Sequence, residues 1–372
     1  MNLVRGLLLA TVAALTACSG PSGPQPAELQ NIYRPLPVRT WWSTNVGSAQ
    51  RFTFFPVHVG ESVYAAARDG TVSRLAARTG EVRWRTKLEL LLSGGVGADG
   101  KLVVVVSEEG EVVALDAEKG EVKWRARVSS EVLAPPALGG GLVLVRSMDN
   151  RVFAFGAEGG QRRWVYQRAP TSLVVRTPSG ITILEDMAYA GFPGGKLAAL
   201  ALANGALRWE ATVAVPKGAT ELERVADVIG EPAAQGREVC AAAYRNLVSC
   251  FDALSGRPLW SRELAALSGV SLDARYAFVS DERGAVHALD RSNGQPVWKQ
   301  EALAYRALTT PLPRGEAVVV GDFEGYVHFL ARESGAFLAR QKTDGALRAG
   351  PVPLIGSLLV QTEAGGLYAF GP

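Results

Sequence analysis

Few residues of this 372-residue chain could carry chemistry, and their number and spacing limit what that chemistry is. The chain contains three cysteines and three histidines, which leaves little support for a metal site made of thiolate and imidazole ligands. Cys240 and Cys250 lie on two apolar runs that flank a turn, so we expect them on adjacent strands of one hairpin. They form either a disulfide, which an oxidising compartment favours and which we prefer, or two buried thiols.

The aspartates and histidines recur at fixed positions of a repeated pattern, which favours structural roles over catalysis. Three aspartates stand just before a turn: Asp116, Asp252 and Asp290. Such an acid is explained by hydrogen bonds to the turn backbone. His287 and His328 also share one position, and no nucleophile is paired with a base. The segment 95–100, GVGADG, matches a dinucleotide fingerprint only formally, because a strand-like run follows it where a helix is required. We therefore predict no catalytic residue, no metal and no cofactor.

Cys18 belongs to a different signal, at the start of the chain. Arg5 provides a positive charge, and the apolar run 6–15, GLLLATVAAL, is too short to span a bilayer as a helix. The following LTAC resembles a bacterial lipobox, which implies that residues 1–17 are a lipoprotein signal peptide and that Cys18 is lipidated. A plain secretory signal is the alternative. Because Pro, Gly and Ser dominate the next residues, we predict that 18–37 is a lipid-anchored flexible tether. No Asp follows the cysteine, which favours the outer membrane.

A repeat of about 40 residues supplies the elements that position all of these residues. Seven copies match one template, in which a Gly precedes a Trp position by four residues. The Trp positions are Trp84, Trp124, Trp164, Trp209, Trp260, Trp298 and, with a different residue, Ala339. Alternating apolar residues predict strands, and the Thr-Gly, Lys-Gly, Ser-Gly or Asn-Gly pairs predict tight turns between them. Four strands per copy are typical of a β-propeller blade.

The two ends of the chain decide the number of blades. Trp42 stands 42 residues before Trp84 with no copy of its own, and the chain ends in a strand-like GGLYAFGP without the turn and Trp. We therefore expect the N-terminal strand to complete the last blade. The fold predicted is an all-β, eight-bladed propeller of four-stranded antiparallel blades in one domain, residues 38–372. A net charge of only +3, without long basic runs, argues against nucleic acid as a partner.

The repeat becomes irregular at two places, where a binding surface is expected. Successive Trp positions are 40, 40, 45, 51, 38 and 41 residues apart, so extra residues follow Trp164 and Trp209. Both insertions connect the outermost strand of one blade to the innermost strand of the next, and such connections emerge on one face. They carry apolar residues flanked by charges, which is typical of a protein interface. Longer strands with a solvated loop are the alternative.

The lipobox, the tryptophan repeat, an early WSTNVG and these two loops together resemble the BamB family of outer-membrane lipoproteins. LVVR, residues 173–176, is similar to that family's Leu-x-Leu-Arg stretch, with Val175 replacing the second Leu, and TELERVAD, residues 220–227, is similar to its second loop. In that family both stretches contact BamA through its POTRA domains. The contact residues that the resemblance implies are Leu173, Val175, Arg176, Glu221, Leu222, Arg224 and Asp227.

The resemblance implies a non-enzymatic scaffold of the outer-membrane β-barrel assembly (BAM) complex. It would be lipid-anchored at the periplasmic face of the outer membrane, bind BamA and other complex members, and assist the insertion of unfolded β-barrel clients. The alternative is a PQQ-dependent quinoprotein dehydrogenase or a cofactor-binding sensor, because the repeat also resembles that family. Quinoprotein alcohol dehydrogenases carry adjacent cysteines and a carboxylate cluster for calcium, and neither stands out in this chain.

Overall fold

Eight four-stranded antiparallel sheets make up the protein. The computed structural model describes residues 23–169, 171, 173–221 and 223–372. In this part of the chain 32 strands are present and helices are absent. In seven blades each strand pairs with the next along the chain, and the eighth combines the first strand of the chain with the last three, so every blade is an up-and-down meander. The all-β, eight-bladed prediction is confirmed.

The first four blades follow one another along the chain after the first strand, β1 (Arg39–Asn45). Blade 1 comprises β2 (Val57–Val59), β3 (Ser62–Ala66), β4 (Thr71–Ala76) and β5 (Val82–Lys87). Blade 2 comprises β6 (Leu92–Ala98), β7 (Leu102–Ser107), β8 (Glu111–Asp116) and β9 (Val122–Arg127). Blade 3 comprises β10 (Ala137–Gly139), β11 (Leu142–Ser147), β12 (Arg151–Gly156) and β13 (Arg162–Gln167). Blade 4 comprises β14 (Ile181–Leu184), β15 (Met187–Phe192), β16 (Lys196–Ala201) and β17 (Leu207–Thr212).

The last four blades close the ring. Blade 5 comprises β18 (Val228–Gln235), β19 (Glu238–Ala243), β20 (Leu247–Asp252) and β21 (Pro258–Glu263). Blade 6 comprises β22 (Ala266–Leu272), β23 (Tyr276–Asp281), β24 (Val286–Asp290) and β25 (Pro296–Gln300). Blade 7 comprises β26 (Leu312–Arg314), β27 (Ala317–Gly321), β28 (Tyr326–Ala331) and β29 (Phe337–Lys342). Blade 8 comprises β30 (Val352–Leu354), β31 (Ser357–Gln361) and β32 (Gly366–Gly371), and β1 completes it by pairing antiparallel with β32.

The core lies between the blades, and this changes the burial of the middle strands. The alternating pattern predicts half-buried strands, but β7 is buried at every residue because neighbouring blades cover both of its faces. Val72 of blade 1 and Val103 of blade 2, for example, belong to one apolar cluster. Only the outermost strands, such as β9, keep the alternation between exposed and buried residues.

Each repeat Trp packs against the following blade. Trp124 rests on Gly160 of the next blade, and its indole N–H donates to the carbonyl oxygen of Ala157 at 2.8 Å. Gly160 has φ +68°, and a Cβ there would lie 2.6 Å from two ring atoms of Trp124, so only glycine fits. The same arrangement joins Trp42, Trp84, Trp164, Trp209, Trp260 and Trp298 to the glycine of the next blade. Between blades 7 and 8, Ala339 stands where the other blades have Trp.

The sequence predicts a flexible tether over 18–37, and the described part of it, from residue 23, lies against blade 7 and the connection before that blade. The backbone N–H of Ala27 donates to the carbonyl oxygen of Ala304, and that of Leu36 to Leu338, both at 2.8 Å. Val38 packs into the apolar cluster shared by blades 7 and 8, where the Trp is missing. A Pro- and Gly-rich segment shows no periodicity, so its sequence does not indicate this docking.

A buried cluster of charged side chains from blade 7 and the connection before it holds this N-terminal segment in place. Arg306 Nε lies 2.6 Å from Asp322 Oδ2, and His328 Nε2 lies 2.8 Å from the same oxygen. Arg340 Nε donates to His328 Nδ1 at 3.1 Å, and because arginine only donates, the proton of the neutral imidazole is on Nε2. Arg306 and Arg340 each donate a further bond, at 3.0 Å, to a carbonyl oxygen of the N-terminal segment. His287 contacts Asp281 in the same way, which agrees with structural roles for both histidines.

Candidate partner-binding site

Two long connections between blades form the candidate site. The first insertion loop, residues 168–180, joins β13 to β14, and the second insertion loop, residues 213–227, joins β17 to β18. Both run from the outermost strand of one blade to the innermost strand of the next. Because the strands of a meander alternate in direction, all such connections and the turns between the second and third strands emerge on one face. We call this the loop face.

The two loops are hydrogen-bonded into one surface. Asp227 Oδ2 accepts the backbone N–H of Val175 at 2.7 Å, and Oδ1 accepts that of Gly194 at 3.1 Å. The end of the first loop also pairs with the strand that follows the second, because the N–H of Gly180 donates to the carbonyl oxygen of Gly230 in β18 at 3.1 Å. Asp227 is only 5% exposed. It was predicted to contact the partner, but a buried carboxylate with two backbone donors holds Val175 in place instead.

A buried arginine lies beneath this junction. Burial lowers the pKa of Arg146 to about 10, while the negative charge of Asp227 acts in the opposite direction. The guanidinium carbon of Arg146 lies 5.3 Å from the centre of the Phe192 ring. Arg146 and Asp227 therefore provide opposite charges under the two loops, and the loss of one would leave the other uncompensated.

Arg176, a charged residue of the first insertion loop, is held by one carboxylate from blade 2 and one from the connection after it. Its Nε lies 3.0 Å from Glu131 Oε2, its terminal nitrogen contacts the other oxygen of Glu131, and the same nitrogen lies 3.4 Å from Glu108 Oε1. The Arg176 side chain nevertheless remains 49% exposed. Leu173 of the same loop is also exposed, and Val175 is partly buried. Arg176 and Leu173 are therefore accessible to a partner.

The second insertion loop is ordered by its own acidic residue. Glu223 Oε2 accepts the backbone N–H groups of Ala219 at 2.8 Å and of Thr220 at 3.1 Å, and the Thr220 bond is the main cause of its lowered pKa. Arg224 Nε donates to the carbonyl oxygen of Gly218 at 3.0 Å. Like Arg224, the predicted contact residue Glu221 is exposed. Leu222 lies outside the described residues.

The central channel is the place where a propeller enzyme would bind a cofactor. Its cavity of about 620 Å³ is lined by the innermost strands, largely by Gly, Ala, Pro and Val. Glu231 lines this channel and is exposed to it. The surrounding protein atoms nevertheless desolvate its carboxyl, which raises the pKa of that group. The hydroxyl of Thr182 lies 3.1 Å from Glu231 Oε1. Among the residues that the structure describes, no group of three or more His, Cys, Asp or Glu residues is arranged to hold a metal ion.

The cysteines lie away from the insertion loops. Cys240 of β19 and Cys250 of β20 are directly paired across the hairpin, as their spacing suggests, and the structure joins them by a disulfide. Both side chains are buried in the cluster between blades 5 and 6. Cys18, the predicted lipidation site, lies outside the described residues. The described residues form no helix that could span a membrane.

The residues that position Arg176 were not predicted from the sequence. Glu108 lies in the turn between the second and third strands of blade 2, whereas Glu131 and Phe52 lie in connections between blades. Their only signal in the sequence is that they interrupt the periodic strands with charged or aromatic residues. Their convergence on the first insertion loop depends on the closed ring.

Comparison with known proteins gives a consistent answer. Residues 68–300 match the family model described as outer membrane protein assembly factor BamB. The chain is 41% identical to the BamB of Burkholderia pseudomallei, over 98% of this chain and 96% of that protein. It is 43% identical to the BamB of Bordetella pertussis, over 98% and 96%.

Solved structures of this fold differ in how closely they match the chain. The crystal structure of BamB from Moraxella catarrhalis superposes with a TM-score of 0.83 at 27% identity, covering 90% of this chain and all of that one. A quinohemoprotein alcohol dehydrogenase from Comamonas testosteroni gives 0.70 at 14% identity, over 90% of this chain and 77% of the enzyme, which shows a common fold alone. The family model and the relatives that match nearly the whole chain lead to one conclusion: the chain belongs to the BamB family of outer membrane protein assembly factors.

Proposed function

We propose that the protein is a non-enzymatic scaffold of the BAM complex. It binds the POTRA domains of BamA through the two insertion loops and assists the folding and insertion of β-barrel clients into the outer membrane. The observation that carries this proposal is the joined loop surface, which presents Leu173, Arg176, Glu221 and Arg224 to solvent. Arginine is enriched in binding hot spots, and the exposed leucine beside it adds apolar surface to the contact. Leu222 is part of the proposed contact by its position in the second insertion loop.

The proposed site is tested by co-purification from outer membranes. Arg176→Glu reverses a charge in the centre of the proposed contact, and we expect it to remove most of the BamA that the wild type retains. Arg237→Glu is the matched control, because Arg237 is an exposed arginine paired with Asp252 at 3.3 Å on the opposite face. If the wild type retains no BamA, the proposed function is wrong. If both variants retain BamA equally well, the proposed site is wrong.

We further propose that the protein is anchored by lipid at Cys18 to the periplasmic face of the outer membrane. The lipobox-like LTAC supports this, and several acyl chains would give stable anchoring at about 0.8 kcal/mol per buried methylene. Mass spectrometry of the N-terminal peptide should show diacylglycerol on Cys18. Cys18→Ser should release the protein from the membrane fraction, and retention of this variant there would contradict the proposal.

A further inference from the structure

Arg176 belongs to a larger group of charged residues that extends over the loop face to blade 1. Its members are Arg51, Arg68, Glu108, Glu131 and Arg176, and we call them the arginine–glutamate cluster. Arg51 comes from the connection between blades 8 and 1, and Arg68 lies in the turn after the second strand of blade 1. The two glutamates come from blade 2 and from the connection that follows it. One ionic group therefore links the loop face from blade 8 to blade 4.

Glu108 is the centre of the cluster. Arg51 contacts its Oε1 at 3.0 Å, Arg176 contacts the same oxygen at 3.4 Å, and Arg68 contacts Oε2. Burial disfavours the charged form of Glu108, but hydrogen bonds from Arg68 and Arg51 hold the pKa of this carboxyl below its usual value. Glu108 is therefore ionised, and the terminal nitrogens of Arg51 and Arg176 converge on one oxygen atom.

An aromatic ring supports the three arginines. Phe52 is buried, and the guanidinium carbons of Arg68, Arg51 and Arg176 lie 4.2, 5.2 and 5.7 Å from its centre. Cations near an aromatic face are attracted to it, so the ring holds guanidinium groups that would otherwise repel one another. Arg68 also donates to the carbonyl oxygen of Leu92 at 2.8 Å and is buried, so its role is internal.

The exposed members of the cluster are both cations. The side chain of Arg51 is 69% exposed and that of Arg176 is 49% exposed, whereas Glu108 is 27% and Glu131 is 20% exposed. Three arginines and two glutamates leave a net charge of +1. The cluster thus satisfies its carboxylates internally and presents uncompensated positive charge to solvent. Exposed leucines flank it on both sides, Leu91 after blade 1 and Leu173 in the first insertion loop.

We propose that Arg51 and Arg176 together bind a carboxylate of the partner, and that the docking surface extends from the insertion loops to blade 1. This proposal rests on the proposed function and adds the chemistry of the contact. The partner presents an acidic side chain to N–H groups of both guanidinium groups that do not contact Glu108 or Glu131, with apolar residues against Leu91 and Leu173. Glu131 is a positioning residue, because its two-oxygen contact fixes the plane of the Arg176 guanidinium.

The test measures binding of the purified full chain to the periplasmic domains of BamA from the same organism, at several salt concentrations. We expect Arg51→Glu to raise the Kd roughly tenfold and to reduce its dependence on salt, because a converging cation becomes an anion. Arg237→Glu on the opposite face should leave the Kd unchanged. Thermal unfolding reports whether each variant folds, and Arg51→Gln replaces Arg51→Glu if the latter does not.

The outcomes separate this inference from the proposed function. If the wild type does not bind the BamA domains, the proposed function fails. If the wild type binds, Arg176→Glu does not, and folded Arg51→Glu binds like the wild type, only the present inference fails. Phosphatidylglycerol vesicles are the second probe. Vesicle binding that Arg51→Glu abolishes, with BamA binding intact, would assign the cluster to lipid phosphate and overturn the proposal.

Glu131→Gln tests the positioning role separately. The amide keeps the shape of the side chain but loses the charge and one acceptor, so the Arg176 guanidinium is less fixed. We expect a Kd increase of roughly threefold to fivefold with an unchanged thermal midpoint. Arg51→Glu combined with Glu131→Gln shows whether the two residues act on one contact. Additive effects would contradict a common site.

Discussion

Replacing Gly160 by alanine tests whether the tryptophan contacts between blades hold the ring together. A Cβ on Gly160 would lie 2.6 Å from Cδ2 and Cε3 of Trp124. The indole cannot move away easily, because it is buried and its N–H is bonded to Ala157 at 2.8 Å. Two costs therefore add up. A left-handed backbone with a Cβ costs about 1–2 kcal/mol, and overpacking of a filled site costs about 1–3 kcal/mol.

Gly141 offers a matched control within the same blade. It has φ +73° against +68° for Gly160, but a Cβ there meets nothing within 4 Å. Gly141→Ala should therefore show only the backbone cost of about 1–2 kcal/mol. The Gly160→Ala protein should therefore be less stable than the Gly141→Ala protein by about 1–3 kcal/mol.

Urea denaturation followed by tryptophan fluorescence measures both variants. The dependence on urea should be unchanged, so that the difference appears in the midpoint. Equal destabilisation by the two substitutions would show that the ring of Trp124 gives way without cost, and the proposed role of the contact between blades would be refuted.

Three other predictions concern the interior. Asp227→Asn removes the charge and one backbone acceptor beneath the insertion loops, so it should lower the free energy of unfolding by about 1.5–3 kcal/mol; unchanged urea stability would contradict this. Cys240 and Cys250 should resist alkylation in denaturant until a reductant is added, and replacing both by alanine should cost about 2–3 kcal/mol of stability. Burial lowers the pKa of His328, so below about pH 6.5 the unfolded chain binds a proton that the folded chain does not. The free energy of unfolding should therefore fall as the pH drops from about 6.5 through this lowered pKa. Urea midpoints at several pH values should show a smaller change in His328→Gln, and an equal change would exclude the imidazole as the cause.

The repeat explains how much of the fold the sequence predicts. Strand alternation and Gly-containing turns are local, so the seven copies identify blades one at a time. Trp42 and the unfinished last copy then require the ring to close through β1, as the structure shows. The sites of the two insertion loops and the pairing of Cys240 with Cys250 follow in the same way, because they depend on counting residues within or between copies.

Contacts between blades could not be predicted by counting residues in the repeat. The sequence indicates a buried Trp in each blade, but only the structure shows that Trp124 rests on the glycine of the following blade. Asp227 was predicted to contact the partner at the surface. It is buried because its carboxylate accepts a hydrogen bond from the backbone of the other insertion loop.

The sequence by itself determined the blades, their number, the closing strand and the place of the insertion loops. The tertiary structure alone decided which residues meet on the loop face. Arg176 contacts Glu108 across 68 positions of the chain, and Phe52 lies still farther away in sequence. The physical reason is that strands and turns depend on neighbouring residues, whereas this cluster exists only when ring closure brings the connections of separate blades together.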